Sequence, residues 1–244
     1  MSPLASMTTV AAVSDAVSMN NAVPLLAALS AIAATIARLP RWRSAESRPF
    51  TIAMALLALW AILRTPAING SADELALPSG HFEGFAGLVA DLALVGAGAL
   101  IGVTVADLWS RPLLKRAFYV GLVALAAALL FTYDPLHPSY LTIETHKWIL
   151  ALAGIAVNGA VVAAAVLSQR TAPPPFRLPL SLFMFAGLSG VTLAVMRVVT
   201  LLRPAGPQVH SWSPIVSVPI FGFALGSLLA SVRLRQQELG DLEA

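Results

Sequence analysis

Apolar residues run through this chain in seven long stretches, at about 21–37, 50–63, 85–106, 117–132, 148–168, 178–202 and 213–232. Polar or proline-bearing segments separate each pair. A helix needs roughly 20 mostly apolar residues to cross a hydrocarbon core of about 30 Å. Residues 148–168 meet that requirement without a single charge. The second and fourth stretches are short and must borrow flanking residues. At bilayer depth a backbone has to satisfy its own hydrogen bonds, which leaves helices as the spanning form. The pattern predicts an all-α integral membrane protein with about seven transmembrane helices over residues 21–232. An N-terminal tail over 1–20 and a short charged tail over 233–244 flank the bundle.

Composition agrees with that solvent. The 244 residues are 58% hydrophobic and 11% charged, whereas a soluble domain carries about 45–50% apolar and about 25% charged residues. Too few polar side chains exist to cover a water-exposed surface. A net charge of +3 is too small for a nucleic-acid partner. The lack of cysteine excludes disulfides, thiolate metal sites and a cysteine nucleophile. Asp15 among small residues, with no basic start, argues against a cleaved signal peptide.

Basic residues set the expected orientation. Arg38, Arg41, Arg43 and Arg48 occupy the first loop, Arg111, Lys115 and Arg116 the third, and Arg170 and Arg177 the fifth. Arg233 and Arg235 begin the C-terminal tail, which makes eleven on one side against Arg64, Lys147 and Arg203 on the other. An excess of Lys and Arg marks the cytoplasmic face. The N-terminus is therefore expected outside and the C-terminus inside, in the cytoplasmic (inner) membrane. Trp60, Trp148 and Trp212 fall near outer ends, and Trp42 and Trp109 near inner ones. Those are headgroup positions favoured by an apolar ring with one polar N–H.

Candidate chemistry is sparse. Asp91 and Arg197 are the two formal charges well inside spans, where charge is expensive and marks a functional candidate. Asp91 lies six residues from the outer start of the third helix, about 9 Å deep, and Arg197 five from the outer end of the sixth, about 7.5 Å deep. Gly87, Asp91, Gly98 and Gly102 share one face of the third helix, and Gly187, Gly190, Ala194 and Arg197 one face of the sixth. Small residues allow close approach, so Asp91 and Arg197 are expected to meet between these two helices. The pair is read as a structural ion pair fixing register, or as a solute or proton site. In a third reading Arg197 snorkels to the headgroups. Arg64, ending the second helix, is an alternative partner for Asp91 or an interfacial anchor.

Other positions are read similarly. Asn158 sits mid-span beside Gly154 and Gly159, as interhelical hydrogen-bonding glue or a cavity group. Pro219, above Gly222 and Gly226, implies a kink, either architectural or a hinge. The outer-loop pairs His81/Glu83 and Glu144/His146 have imidazole and carboxylate groups that suit zinc or pH sensing, or are ordinary solvated loop residues. No dedicated metal motif, phosphate loop or nucleophile elbow occurs. The seventh stretch has no lysine for a retinal Schiff base. No catalytic residue and no cofactor is expected.

Residues Arg48 to Val103 resemble an actinobacterial family of seven-helix proteins that carry no firmer label than transporter. The motifs are Leu63-Arg64-x-Pro66 closing one helix and Leu88-Val89-Ala90-Asp91-Leu92 opening the next; Leu178 to Arg197 adds a glycine-bearing helix ending in arginine. Those relatives run on into a cytoplasmic domain not seen here, so a signalling or coupling role is not carried over. The leading functional expectation is a small-solute transporter or permease-like module. The alternative is a non-catalytic sensor, regulatory or accessory subunit. Its partners would be the lipid bilayer and a second membrane protein or another copy of itself.

Overall fold

The computed structural model describes the backbone of residues 3–68, 85–133, 144–202 and 213–243, with side chains for 21–68, 85–133, 147–202 and 215–237. Seven long helices fill these segments: α1 Pro3–Arg38, α2 Ser47–Leu63, α3 Phe85–Leu108, α4 Pro112–Phe131, α5 Glu144–Gln169, α6 Pro174–Leu202 and α7 Ser213–Glu243. A short 3-10 turn, Leu39–Arg41, follows α1. Six of the helices are long and apolar enough to cross a membrane, and α2, at 17 residues, is shorter. The chain is a multi-pass helical membrane protein. Both expected tails are helical for most of their length, because α1 begins at Pro3 and α7 runs to Glu243.

Successive helices alternate in direction. Their close pairs are α1–α2, α2–α3, α3–α5, α5–α6, α6–α7 and α7–α1, a closed ring of six. α4 packs closely on α3 alone, outside the ring. Burial follows this plan: 67% of the apolar window of α3 is buried, against 6% for α4. Leu113, Val120, Val123 and Phe131 of α4 are left largely exposed, which suits a helix lying against lipid.

Small residues explain which helices touch. Without a hydrophobic force between helices in lipid, close backbone approach and dispersion do the work. A Cβ at Gly187 would lie 2.8 Å from Val162, and one at Gly154 would lie 3.2 Å from Ala194. The small-residue face of α6 is thus spent on α5. Gly222 of α7 sits against Ala186, where a Cβ would be 2.8 Å from the alanine's own. Ala27, Ala28, Ala31 and Ala34 of α1 are fully buried, as are Ser217, Ala224, Ser227 and Ser231 of α7.

α4 is held at its start by the Asp107–Lys115 ion pair at 2.8 Å. The Phe118 ring also rests on Gly102, leaving no room for a Cβ there.

Candidate functional site

A cavity of about 310 Å³ lies among the helices, its wall taking residues from α2 through α7, including the outlying α4, and none from α1. Five of the residues singled out from sequence line it: Arg64, Asp91, Asn158, Arg197 and Pro219. They come from α2's end, α3, α5, α6 and α7 respectively. Leu94, Val95, Leu125, Leu193 and Ile220 are typical of the rest of the wall.

The ionic end is built by helix geometry. Arg64 caps the C-terminus of α2, its backbone N–H bonded to the carbonyl of Trp60. Asp91 lies six residues into α3, about 9 Å from its start, and is 2% exposed. Because α2 and α3 run antiparallel in close contact, these residues fall at one level. Arg64 Nη2 donates to Asp91 Oδ1 at 2.5 Å. The expected pairing of Asp91 with Arg197 is corrected accordingly: Arg64, the alternative, makes the direct ion pair. The cause is the packing order, since α3 and α6 are not a close pair and the α6 glycines face α5. Arg197 is half-buried in the same cavity and feels the charges of both Asp91 and Arg64. Among the described residues its guanidinium makes no hydrogen bond or ion pair, while its backbone carbonyl accepts from the Thr200 hydroxyl at 2.8 Å. The cluster carries two guanidinium groups and one carboxylate.

Trp60 belongs to this end too. It lines the cavity and is 5% exposed, and its indole Nε1–H is buried with no hydrogen-bond partner. The expected headgroup position of Trp60 is therefore corrected to the cavity wall. Trp60 and Arg64 are four apart and share a helix face, so the neighbour that meets Arg64 covers Trp60 as well.

Asn158 marks mid-depth. Its Nδ2 donates to Gly154 O of the same helix at 2.8 Å. The bond stays within α5, which corrects the expected interhelical one. The amide occupies space opened by Gly190, where a Cβ would come within 2.4 Å of Oδ1. Pro219 stands on the facing wall of α7. Proline there removes a helical hydrogen bond and gives α7 a natural point of bending.

Beyond the cavity, away from Arg64, aromatic rings close the core. Phe223 lines the cavity; Phe183 lies 6.2 Å from it and 5.6 Å from Phe50 by ring centroids. Arg38 caps the stack, 4.8 Å over the Phe50 ring, while donating to Thr51 and Ser47 hydroxyls.

His81 and Glu83 lie outside the described residues. Glu144 and His146 fall on the first turn of α5, and their side chains lie outside as well. Among the described residues no group of three or more His, Asp or Glu is placed to hold a metal ion. No family model, curated protein or solved structure matches this chain.

Proposed function

We propose that the cavity is a solute-binding site and that the protein is a small-solute transporter or permease-like module of the cytoplasmic membrane. The observation that carries this reading is the convergence of Arg64, Asp91, Asn158, Arg197 and Pro219, from five helices, on one cavity. Buried charge at a bundle interior is costly. A structural ion pair would need Arg64 and Asp91 alone, and would not need a second arginine beside a void. Binding pockets combine mostly apolar walls with a few convergent polar groups, which describes this cavity. The aromatic stack of Phe50, Phe183 and Phe223 closes one side, so release on that side requires α7 to swing about Pro219.

The test begins with purification in mild detergent and native mass spectrometry. A small molecule is expected to accompany the protein and to be lost from an Arg197→Gln variant. In proteoliposomes loaded with that molecule, Pro219→Ala should slow flux several-fold and weaken binding far less, because proline supplies a point of bending and no polar group to the site. A stoichiometric protein partner with no bound small molecule would overturn the reading in favour of an accessory subunit.

The reading includes seven spans, with α2 completing its crossing through flanking residues, an outer N-terminus and an inner C-terminus. The ionic end then faces outward. A chain without cysteine makes this directly measurable. In intact cells Ala67→Cys should react with a membrane-impermeant maleimide, and Thr171→Cys should react only after permeabilisation. Labelling of Thr171→Cys in intact cells would reverse the orientation.

A further inference from the structure

We infer that the ligand of this cavity is a single-chain anionic amphiphile that enters sideways from the bilayer between α4 and α5. The inference rests on the binding-site reading above and gives its substrate a chemical class.

Three observations converge on it. The first is the charge and donor balance of the ionic end. Two guanidiniums stand against one carboxylate, which is already paired with Arg64. Beside them is the unpartnered Trp60 N–H, a donor with no acceptor capacity. In a low-dielectric cavity an excess of donors and positive charge selects an anion. The second is the remaining wall, which apart from Asn158 offers leucine, valine, isoleucine, alanine, phenylalanine, glycine and proline. A hydrophilic anion would gain nothing from that surface, whereas an alkyl chain matches it.

The third is the route. α4 and α5 both line the cavity but are not a close helix pair. Ala117 of α4 and Ala156 of α5 line it and are nevertheless exposed. A Cβ built on Gly121 meets nothing within 4 Å. The gap between the two helices is therefore an opening in the side of the bundle. Leu88, Leu129 and Leu150 close the same seam at the Arg64 end. Counting helix rise from that end, Ala117 and Gly121 lie about 6–12 Å deeper than Asp91. Such an opening faces acyl chains and not water. A headgroup at Arg64 and Arg197 would leave its chain running down the apolar wall toward the slot.

The experiment uses the full chain in phosphatidylcholine nanodiscs, with empty discs as the partitioning background. Labelled dodecyl phosphate, inorganic phosphate and dodecyltrimethylammonium are the probes. Saturable binding of dodecyl phosphate at one per protein is expected. Arg197→Gln should weaken it at least tenfold, and Arg197→Lys should hold it within a few-fold. Gly121→Trp, at a position where an added Cβ meets nothing within 4 Å, should obstruct the slot and slow association at least tenfold. Saturable binding of inorganic phosphate without dodecyl phosphate would overturn the inference and leave the solute-site reading standing. Equal binding of dodecyltrimethylammonium would overturn the anion selection. Association unaffected by Gly121→Trp would overturn the lateral route. If no probe binds and no small molecule copurifies, both the inference and the reading beneath it fall.

Discussion

Asp91→Asn is expected to remove most of the folded protein from the membrane, the largest loss of any single change at the ionic end. The carboxylate is 2% exposed and bonded to Arg64, and Arg197 shares its cavity. The neutral amide would leave two guanidinium groups in one low-dielectric cavity with no counter-charge among the described residues. Stranding a buried charge in this way costs about 3–5 kcal/mol, a large part of the roughly 5–15 kcal/mol that holds a native protein together. Arg64→Gln should cost clearly less, because Arg197 remains to neutralise Asp91. Fluorescence-detected gel filtration and thermal melts in detergent would rank the variants. An Asp91→Asn protein as abundant and heat-stable as the parent would show that the pair contributes nothing to folding.

The second large effect is expected at Gly190. A Cβ at this position would lie 2.4 Å from Asn158 Oδ1 and 2.5 Å from its Cγ, well inside van der Waals contact. Rotating Asn158 away would break the bond from its Nδ2 to Gly154 O. Gly190→Ala should therefore push α6 off α5 at a cost of about 1–3 kcal/mol, the usual range for overpacking. Asn158→Ala in the same chain should restore most of that loss by vacating the space. Gly159→Ala is the control, because a Cβ there meets nothing within 4 Å, and its melt should match the parent's. A Gly190→Ala protein that melts like the Gly159→Ala control would mean that α5 and α6 do not pack in this register.

Much of this architecture is legible in the chain, since a 20-residue apolar run has few alternatives in a bilayer. The α3–α4 and α5–α6 connections fall where Arg111-Pro112 and the prolines at 173–175 break the apolar pattern. The candidate site was partly legible for the same reason. A charge inside a span is conspicuous, and Asp91 and Arg197 were visible as a pair at one depth, with Arg64 at the outer helix end as an alternative partner. Which arginine bonds to Asp91 was not. Small-residue faces on α3 and α6 state that each helix is approached closely, without naming the helix that approaches. In the structure α5 takes the α6 face, Val157 and Phe118 take Gly98 and Gly102, and α2 brings Arg64 to Asp91. Trp60 was misplaced for a related reason. Its position one turn from a helix end fits a headgroup anchor as well as a cavity wall, and only the neighbour decides. The cavity itself is a property of six helices at once. No local pattern in the sequence encodes a space between residues more than a hundred positions apart.

That ring also constrains how the protein is made. One seam of the ring joins α1 to α7, two helices far apart in sequence, and Arg235 donates back to the carbonyl of Ala37 at 3.4 Å. Until α7 is inserted, α1 packs on α2 alone and the cavity lacks one wall. Contacts of such sequence separation form late and slowly, and an incomplete membrane bundle exposes its packing faces to other proteins. A chain arrested before residue 213 would lack Pro219 and one wall of the site while retaining every charged residue of the ionic end. Quality control in the membrane thus has a single late event to monitor, the docking of α7 on α1.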